Sequence, residues 1–209
     1  MIERWDLITI GNISRNRYWG ESDEKGYRPA ICTCTLVTLT DGTRLLVDPS
    51  LSDLGAMANE LNRRAGLQLA DVSAVFITHE HGDHHFGLKH FPNARWLAAP
   101  PVADALNTSG QYTKTVEAAG SRLFDDLEVI PTPGHTLSHH SLRFDCEGQS
   151  VVIAADAAMT RDFWRDRQGY FNSADRDLAA QTIEHLEKIA DVVVPGHDNY
   201  FLHPRGAAQ

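Results

Sequence analysis

The chain has 209 residues, 42% of them hydrophobic, and its 19 Lys+Arg against 28 Asp+Glu give a net charge of −9. This is material for one globular domain over 1–209, and the acidic balance makes nucleic acid a less favoured partner, because proteins that grip phosphate backbones usually carry the opposite sign. No run approaches the ~18–20 apolar residues of a membrane helix, the start has no signal-peptide pattern, and three cysteines make no disulfide framework. A cytoplasmic protein with no membrane partner is expected.

In chain order, 5–11, 31–39 and 43–48 read as strands, with Asp41-Gly42 as a hairpin turn. Between the first two strands, 14–30 is a polar-aromatic connection holding Tyr18, Trp19 and Tyr27, of a length that is more often functional than idle. Cys32 and Cys34 share a strand face and read as packing residues. Residues 53–65 read as a helix, capped by Ser52 or Asp53 and closed by Gly66. A buried strand at 72–78 runs into a histidine cluster. A short helix at 83–90, a strand at 94–99 and a helix at 101–107 follow; 108–126 has mixed polar character and receives no assignment. Strands at 127–131, 140–145 and 150–155 precede a helix at 175–190 with apolar Leu178, Ile183, Leu186 and Ile189. A last strand, 191–195, delivers Gly196-His197-Asp198. Mixed hairpins and β-α units imply an α/β fold of two sheets packed face to face, with helices outside.

Chemistry concentrates in the eleven histidines. The cluster after the 72–78 strand contains His79-x-His81-x-Asp83-His84. Residues two apart on extended chain face the same way, so His79 and His81 can hold one metal together. Gly82 permits a sharp turn, after which Asp83 and His84 approach a second metal from the start of a helix. Imidazole and carboxylate are ligands that zinc accepts. Three further candidates each end a strand: His135 after 127–131, Asp156 after 151–155, and His197 after 192–194. They therefore lie along one edge of the sheets, where binding sites form.

With these motifs the chain resembles the metallo-β-lactamase superfamily from about residue 31 to 200. The resemblance implies a four-layer αβ/βα sandwich and two divalent metal ions, Zn2+ in the first instance, with Fe or Mn as alternatives. It assigns His79, His81 and His135 to the first ion, Asp83, His84 and His197 to the second, and Asp156 as the carboxylate bridging both. Asp48 matches an early Asp that supports the site through hydrogen bonds. True β-lactamases lack the Asp bridge and are exported, so antibiotic hydrolysis is not expected, nor, at this length, are the extra domains of glyoxalase II, the di-iron flavoproteins or the larger nucleases. Locally, Thr132-Pro133-Gly134-His135-Thr136-Leu137-Ser138-His139 and Asp156-Ala157-Ala158-Met159 look like acyl-homoserine lactonase motifs. Met159, however, stands where those enzymes place a tyrosine, leaving Tyr18, Tyr170 or Tyr200 to supply a hydroxyl. The length and ending also resemble short stand-alone proteins of the superfamily.

Such a centre would generate hydroxide from water at neutral pH, with Asp83 or Asp156 relaying a proton to the leaving group. An ester, thioester or lactone of a small molecule is the first expectation, its rim formed by the 14–30 aromatics and by Phe163, Trp164, Tyr170 and Phe171. A phosphodiesterase or nuclease with the same two-metal site is the second, with Arg161, Arg165 and Arg167 as a phosphate clamp. A mononuclear iron dioxygenase of the same fold is the third, and a non-catalytic metal scaffold the fourth. Of the other histidines, His139 is expected beside the ligands and His140 to be structural. His85 and His90 are expected to pack or be exposed, His185 has no visible partner, and His203 is a weak candidate for the pocket wall.

Overall fold

The structure, a computed structural model, describes residues 1–13 and 30–203. The 14–29 part of the polar-aromatic connection, with Tyr18, Trp19 and Tyr27, lies outside the described residues. One sheet has strands β1 (Ile2–Thr9), β2 (Cys34–Leu39), β3 (Arg44–Val47), β4 (Ala74–Ile77), β5 (Arg95–Ala98) and β6 (Glu117–Ala118) side by side in chain order. The other runs β12 (Phe201–Leu202), β11 (Val192–Pro195), β10 (Gln149–Ala155), β9 (His140–Cys146), β8 (Leu127–Pro131) and β7 (Arg122–Leu123). Both are mixed: β3, β4, β5 and β6 are parallel neighbours, as are β10 and β11, and the remaining pairs are antiparallel.

The period of two along each strand sorts the core into layers. Leu45, Val47 and Phe76 of the first sheet meet Leu142, Val151, Ile153 and Val194 of the second in one cluster between the sheets. The alternate residues face outward. Leu46, Val75 and Trp96 pack on α1 (Leu54–Ala65) and α3 (Pro100–Thr108), while Val152, Ala154 and Val193 pack on α5 (Arg176–Glu187). Two short helices, α2 (Gly82–His85) and α4 (Arg161–Arg165), sit at strand ends. Helix, sheet, sheet, helix is the four-layer αβ/βα sandwich.

Local signals fixed several boundaries. Asp53 caps α1 by accepting from the Ala56 N–H at 2.7 Å, and Gly66 ends it in the left-handed region at φ 70°. Elsewhere tertiary contacts decide. The first strand lies at 2–9 rather than 5–11, because Gly11 leaves the sheet to pass against Gly196 and His197, where a Cβ would come within 2.8 Å of backbone. Residues 31–33 likewise serve the ligand loops instead of the sheet: the Thr33 N–H donates to the Gly196 carbonyl at 2.6 Å. The unassigned 108–126 stretch contributes the two-residue strands β6 and β7, and α5 stops at Glu187. No helix among the described residues is long and apolar enough to cross a membrane.

Phe76 is fully buried in the layer between the sheets. Phe76→Ala should destabilise the protein by about 3–5 kcal/mol in urea unfolding, through lost burial and the cavity left behind.

Candidate metal centre

Every one of the seven expected ligands comes from a strand end or the turn after it. His79 and His81 follow β4; Asp83 and His84 lie in α2, for which His81 is the N-terminal flanking residue. His135 sits between β8 and β9, Asp156 directly follows β10, and His197 follows β11. Donor atoms of His79, His81, His135 and Asp156 lie within 4.8 Å of one another, and so do those of Asp83, His84 and His197.

Asp156 joins the two groups. Its Oδ2 faces the His135 Nε2 at 3.2 Å and the His79 Nε2 at 3.8 Å. Its Oδ1 faces the His84 Nε2 at 3.2 Å and the His197 Nε2 at 3.4 Å. The Asp83 Oδ2 lies 3.4 Å from the same His197 nitrogen. The His81 Nδ1 sits 3.1 Å from the His79 Nε2 and 2.9 Å from the His135 Nε2.

The hydrogen bonds behind these rings fix their protons. His84 donates its Nδ1–H to the Asp48 carboxylate at 2.9 Å. The Thr78 hydroxyl gives its proton to Asp48 at 2.7 Å, so at 3.1 Å it accepts the Nδ1–H of His79. His197 donates its Nδ1–H to the Asn12 carbonyl at 2.9 Å. In the neutral state all three therefore turn bare Nε2 lone pairs toward Asp156. Lone pairs facing a carboxylate repel, and the buried His84 Nε2 and Asp156 Oδ1 find no hydrogen-bond partner. A cation between them resolves the conflict. A tetrahedral ion with ligands about 2.0–2.1 Å away spaces them by about 3.3 Å, within the 2.9–3.8 Å range of the separations seen. The residues present fit divalent metal ions.

Charge balance points the same way. Burial pushes His79 well below its ordinary value and His135 down to about 4. Burial alone would raise Asp156, yet His84, His197 and His135 hold it well below the usual carboxylate range. Burial also opposes the charged form of His197, but the facing Asp156 outweighs it and lifts that group above 6.5. Without a metal, the site collects protons as counter-charge.

The backbone is bent to this purpose. Ala155 has φ 45° and ψ −135°, an uncommon conformation for alanine that swings Asp156 off the end of β10. Gly196 is required by space: a Cβ there would lie 1.8 Å from the Asp156 Oδ1. Gly134, at φ 136°, brings His135 past α5, where a Cβ would come within 2.3 Å of the Ala179 nitrogen.

Asp48 supports the site as expected, accepting from the Thr78 N–H as well. Cys32, though near Asp48 and His84, is a buried thiol pushed up to about 12 and donates to the Asp48 carbonyl. Cys34 belongs to the core. His139 is fully buried with its ring 4.9 Å from that of His79. His85 is buried rather than exposed, its Nε2 meeting the Glu80 carbonyl at 3.2 Å and its Nδ1 the Tyr112 hydroxyl at 2.6 Å. The roles of Asn12, Thr78 and Tyr112 were missed; for Asn12 the contact is a backbone carbonyl, which leaves no mark on residue type.

A cavity of about 370 Å³ opens onto His81, Asp83, Asp156 and His197, walled by Ile13, Ala30, Phe86, Met159, Tyr170 and Asn172. Of the expected aromatic rim, Tyr170 lines this cavity, while Phe163 and Trp164 turn inward and are buried. Tyr200 packs edge-on against Trp5, and His203 lies beside Trp164 along another cavity. The expected phosphate clamp is dispersed. Arg161 and Arg165 line that other cavity, Arg167 lines a third, and Arg167 pairs with Glu187 at 2.8 Å.

Residues 27–197 match the metallo-beta-lactamase superfamily. The chain belongs to that superfamily. It is 31% identical over 173 residues to metallo-beta-lactamase domain-containing protein 1 of Xenopus laevis, covering 75% of this chain and 70% of that protein. It is 27% identical over 164 residues to an N-acyl homoserine lactonase of a Bacillus species, spanning 72% of this chain but only 65% of the lactonase. Among solved structures, a quorum-quenching N-acyl homoserine lactone lactonase superimposes with a TM-score of 0.72 at 19% identity, covering 96% of this chain and 99% of that one. A dizinc quorum-quenching lactonase does so at 0.66 and 17%, covering 86% and 81%. This metallo-beta-lactamase-superfamily chain thus has the fold and the His/Asp cluster of a hydrolase superfamily.

Gly196→Ala should displace the Asp156 carboxylate, lowering stability in urea by about 1–3 kcal/mol. Gly120→Ala, whose Cβ would meet nothing within 4 Å, should stay within about 0.5 kcal/mol.

Proposed function

We propose that the chain is a dinuclear metal-dependent hydrolase acting on an ester, thioester or lactone of a small molecule. The observation that carries this reading is the Asp156 carboxylate, with one oxygen turned to each ligand group. His79, His81 and His135 would hold one ion and Asp83, His84 and His197 the other, with Asp156 shared; nitrogen and oxygen donors of this kind suit zinc. Bound there, two divalent cations would bring the pKa of water toward about 7 and polarise a carbonyl oxygen.

The chain's own residues supply the rest. Asp83 stands on the cavity wall and is only part-buried, so it can take a proton and pass it to a leaving oxygen or sulfur; Asp156 is the more enclosed alternative. Ile13, Ala30, Phe86 and Met159 form an apolar wall that receives the non-reacting part of the substrate and excludes water. Tyr170 and Asn172 are the neutral polar side chains there, and Tyr170 takes the hydroxyl role left open by Met159. The net charge of −9 weighs against a phosphodiester. The Bacillus lactonase relatives support the lactone member of the class.

The test is a panel of lactones, thioesters, aryl esters and bis-aryl phosphodiesters offered to zinc-loaded protein. Turnover of a carbonyl substrate should fall at least about 10²-fold in Asp156→Ala; turnover untouched by that change, or confined to phosphodiesters, would contradict the reading. Tyr170→Phe should lower kcat/KM about 10-fold, the worth of one hydrogen bond to the reacting group.

Zinc affinity should also depend on pH. His84 and His197 must lose their protons to bind, and the facing acidic groups outweigh burial to raise both above 6.5, His84 the further. Affinity should therefore be full only above both raised values and fall by about tenfold per pH unit below them for each proton displaced. Competition with a chromophoric chelator between pH 6 and 9 checks this, and an affinity independent of pH would contradict it.

A further inference from the structure

The first ligand group is split between the sheets: His79 and His81 follow β4 in one, and His135 lies between β8 and β9 in the other. Apolar packing sets the distance between sheets, and Ala174, Asp175 and Thr182 tie the His135, Gly134 and Pro133 carbonyls on the side of their own sheet, but none of these bonds reaches the β4 ligands. Ligand geometry needs a directional link across that gap.

Such a link runs through Glu80, the residue between His79 and His81. On extended chain its side chain points away from those of its neighbours. Its Oε2 accepts from the Ser138 hydroxyl at 2.6 Å and from the Thr136 hydroxyl at 3.4 Å, and the two hydroxyls lie 3.0 Å apart. Thr136 directly follows His135, and Ser138 stands three residues on. The backbone of Glu80 is held in turn by His85, whose ring is anchored by Tyr112. A second bond crosses the gap, from the His140 N–H to the Thr78 carbonyl at 3.0 Å, but it lies five residues from His135.

We propose that Glu80 is a positioning residue: its carboxylate clamps the Thr136–Ser138 turn and so holds His135 opposite His79 and His81. A carboxylate suits the task because it only accepts: it takes the Ser138 proton in a short, charge-assisted bond and faces the Thr136 hydroxyl in a longer one. The inference rests on the metal-binding reading above.

Zinc competition titrations on the whole protein test it. Wild type should bind two ions. Glu80→Ala should weaken one of them about 10–100-fold, the usual effect of removing a group that orients a ligand, and leave the other within about twofold. Glu80→Gln keeps an oxygen for the Ser138 hydroxyl and should recover most of the loss. Ser138→Ala added to Glu80→Ala should cost nothing more, because the two act through one contact. Cobalt-loaded Glu80→Ala should show an altered visible spectrum that Glu80→Gln restores, a change that mere loss of stability would not produce.

Unchanged affinities in Glu80→Ala, with wild type binding normally, would overturn this inference alone. Equal weakening of both ions, with a lowered Tm of the metal-free protein, would overturn it too, making Glu80 a general support of the fold. Wild-type protein that bound no zinc would remove the metal reading and this inference with it.

Discussion

Four imidazole nitrogens face the two oxygens of one buried carboxylate, and three of those imidazoles have their other nitrogen committed to an acceptor behind them. In a chain without cations each of these groups has lost its water, and the site draws protons onto His84 and His197 as counter-charge to Asp156. The sandwich exists in a form that concentrates the conflict in one place. Strands β4 of one sheet and β8, β10 and β11 of the other each deliver a candidate ligand where the sheets stop.

Holding that geometry requires local departures from easy backbone. Asp48 adopts φ 53° at the end of β3, which an Asp tolerates better than most residues, and Ala155 adopts φ 45° at the end of β10. Strain of this kind costs about 1–3 kcal/mol per residue and persists only where the surroundings over-determine it. Here they do. Gly196 and His197 bond back to the Ala158 and Met159 carbonyls, Thr78 gives two hydrogen bonds to Asp48, and Gly196 leaves the room that the Asp156 carboxylate fills. Stability gained between the sheets is thereby invested in the site.

The residues of the His/Asp cluster were legible in sequence because local patterns mark them: His-x-His-x-Asp-His after an apolar strand, and three apolar runs each ending in a His or Asp. The α1 boundaries were legible for the same reason, since Asp53 and Gly66 act within one turn. What escaped detection was whatever depends on partners distant in the chain. The Asn12 carbonyl, the two-residue strands β6 and β7 and the early start of β1 are defined by neighbours that pattern cannot supply. The aromatic stretch at 163–171 was visible as aromatic, but its division into buried Phe163 and Trp164 and cavity-lining Tyr170 depends on α4, a five-residue helix too short to show a period. Arg161 and Arg165 line one cavity and Arg167 another, both away from the metal centre, although the three are close in sequence.

The account's central claim is a pair of cations on either side of Asp156. Crystals of zinc-loaded protein, measured on both sides of the zinc absorption edge, would locate the ions directly. The account predicts two anomalous peaks, one among His79, His81 and His135 and one among Asp83, His84 and His197, with an Asp156 oxygen beside each. A single peak, or two peaks away from Asp156, would contradict it.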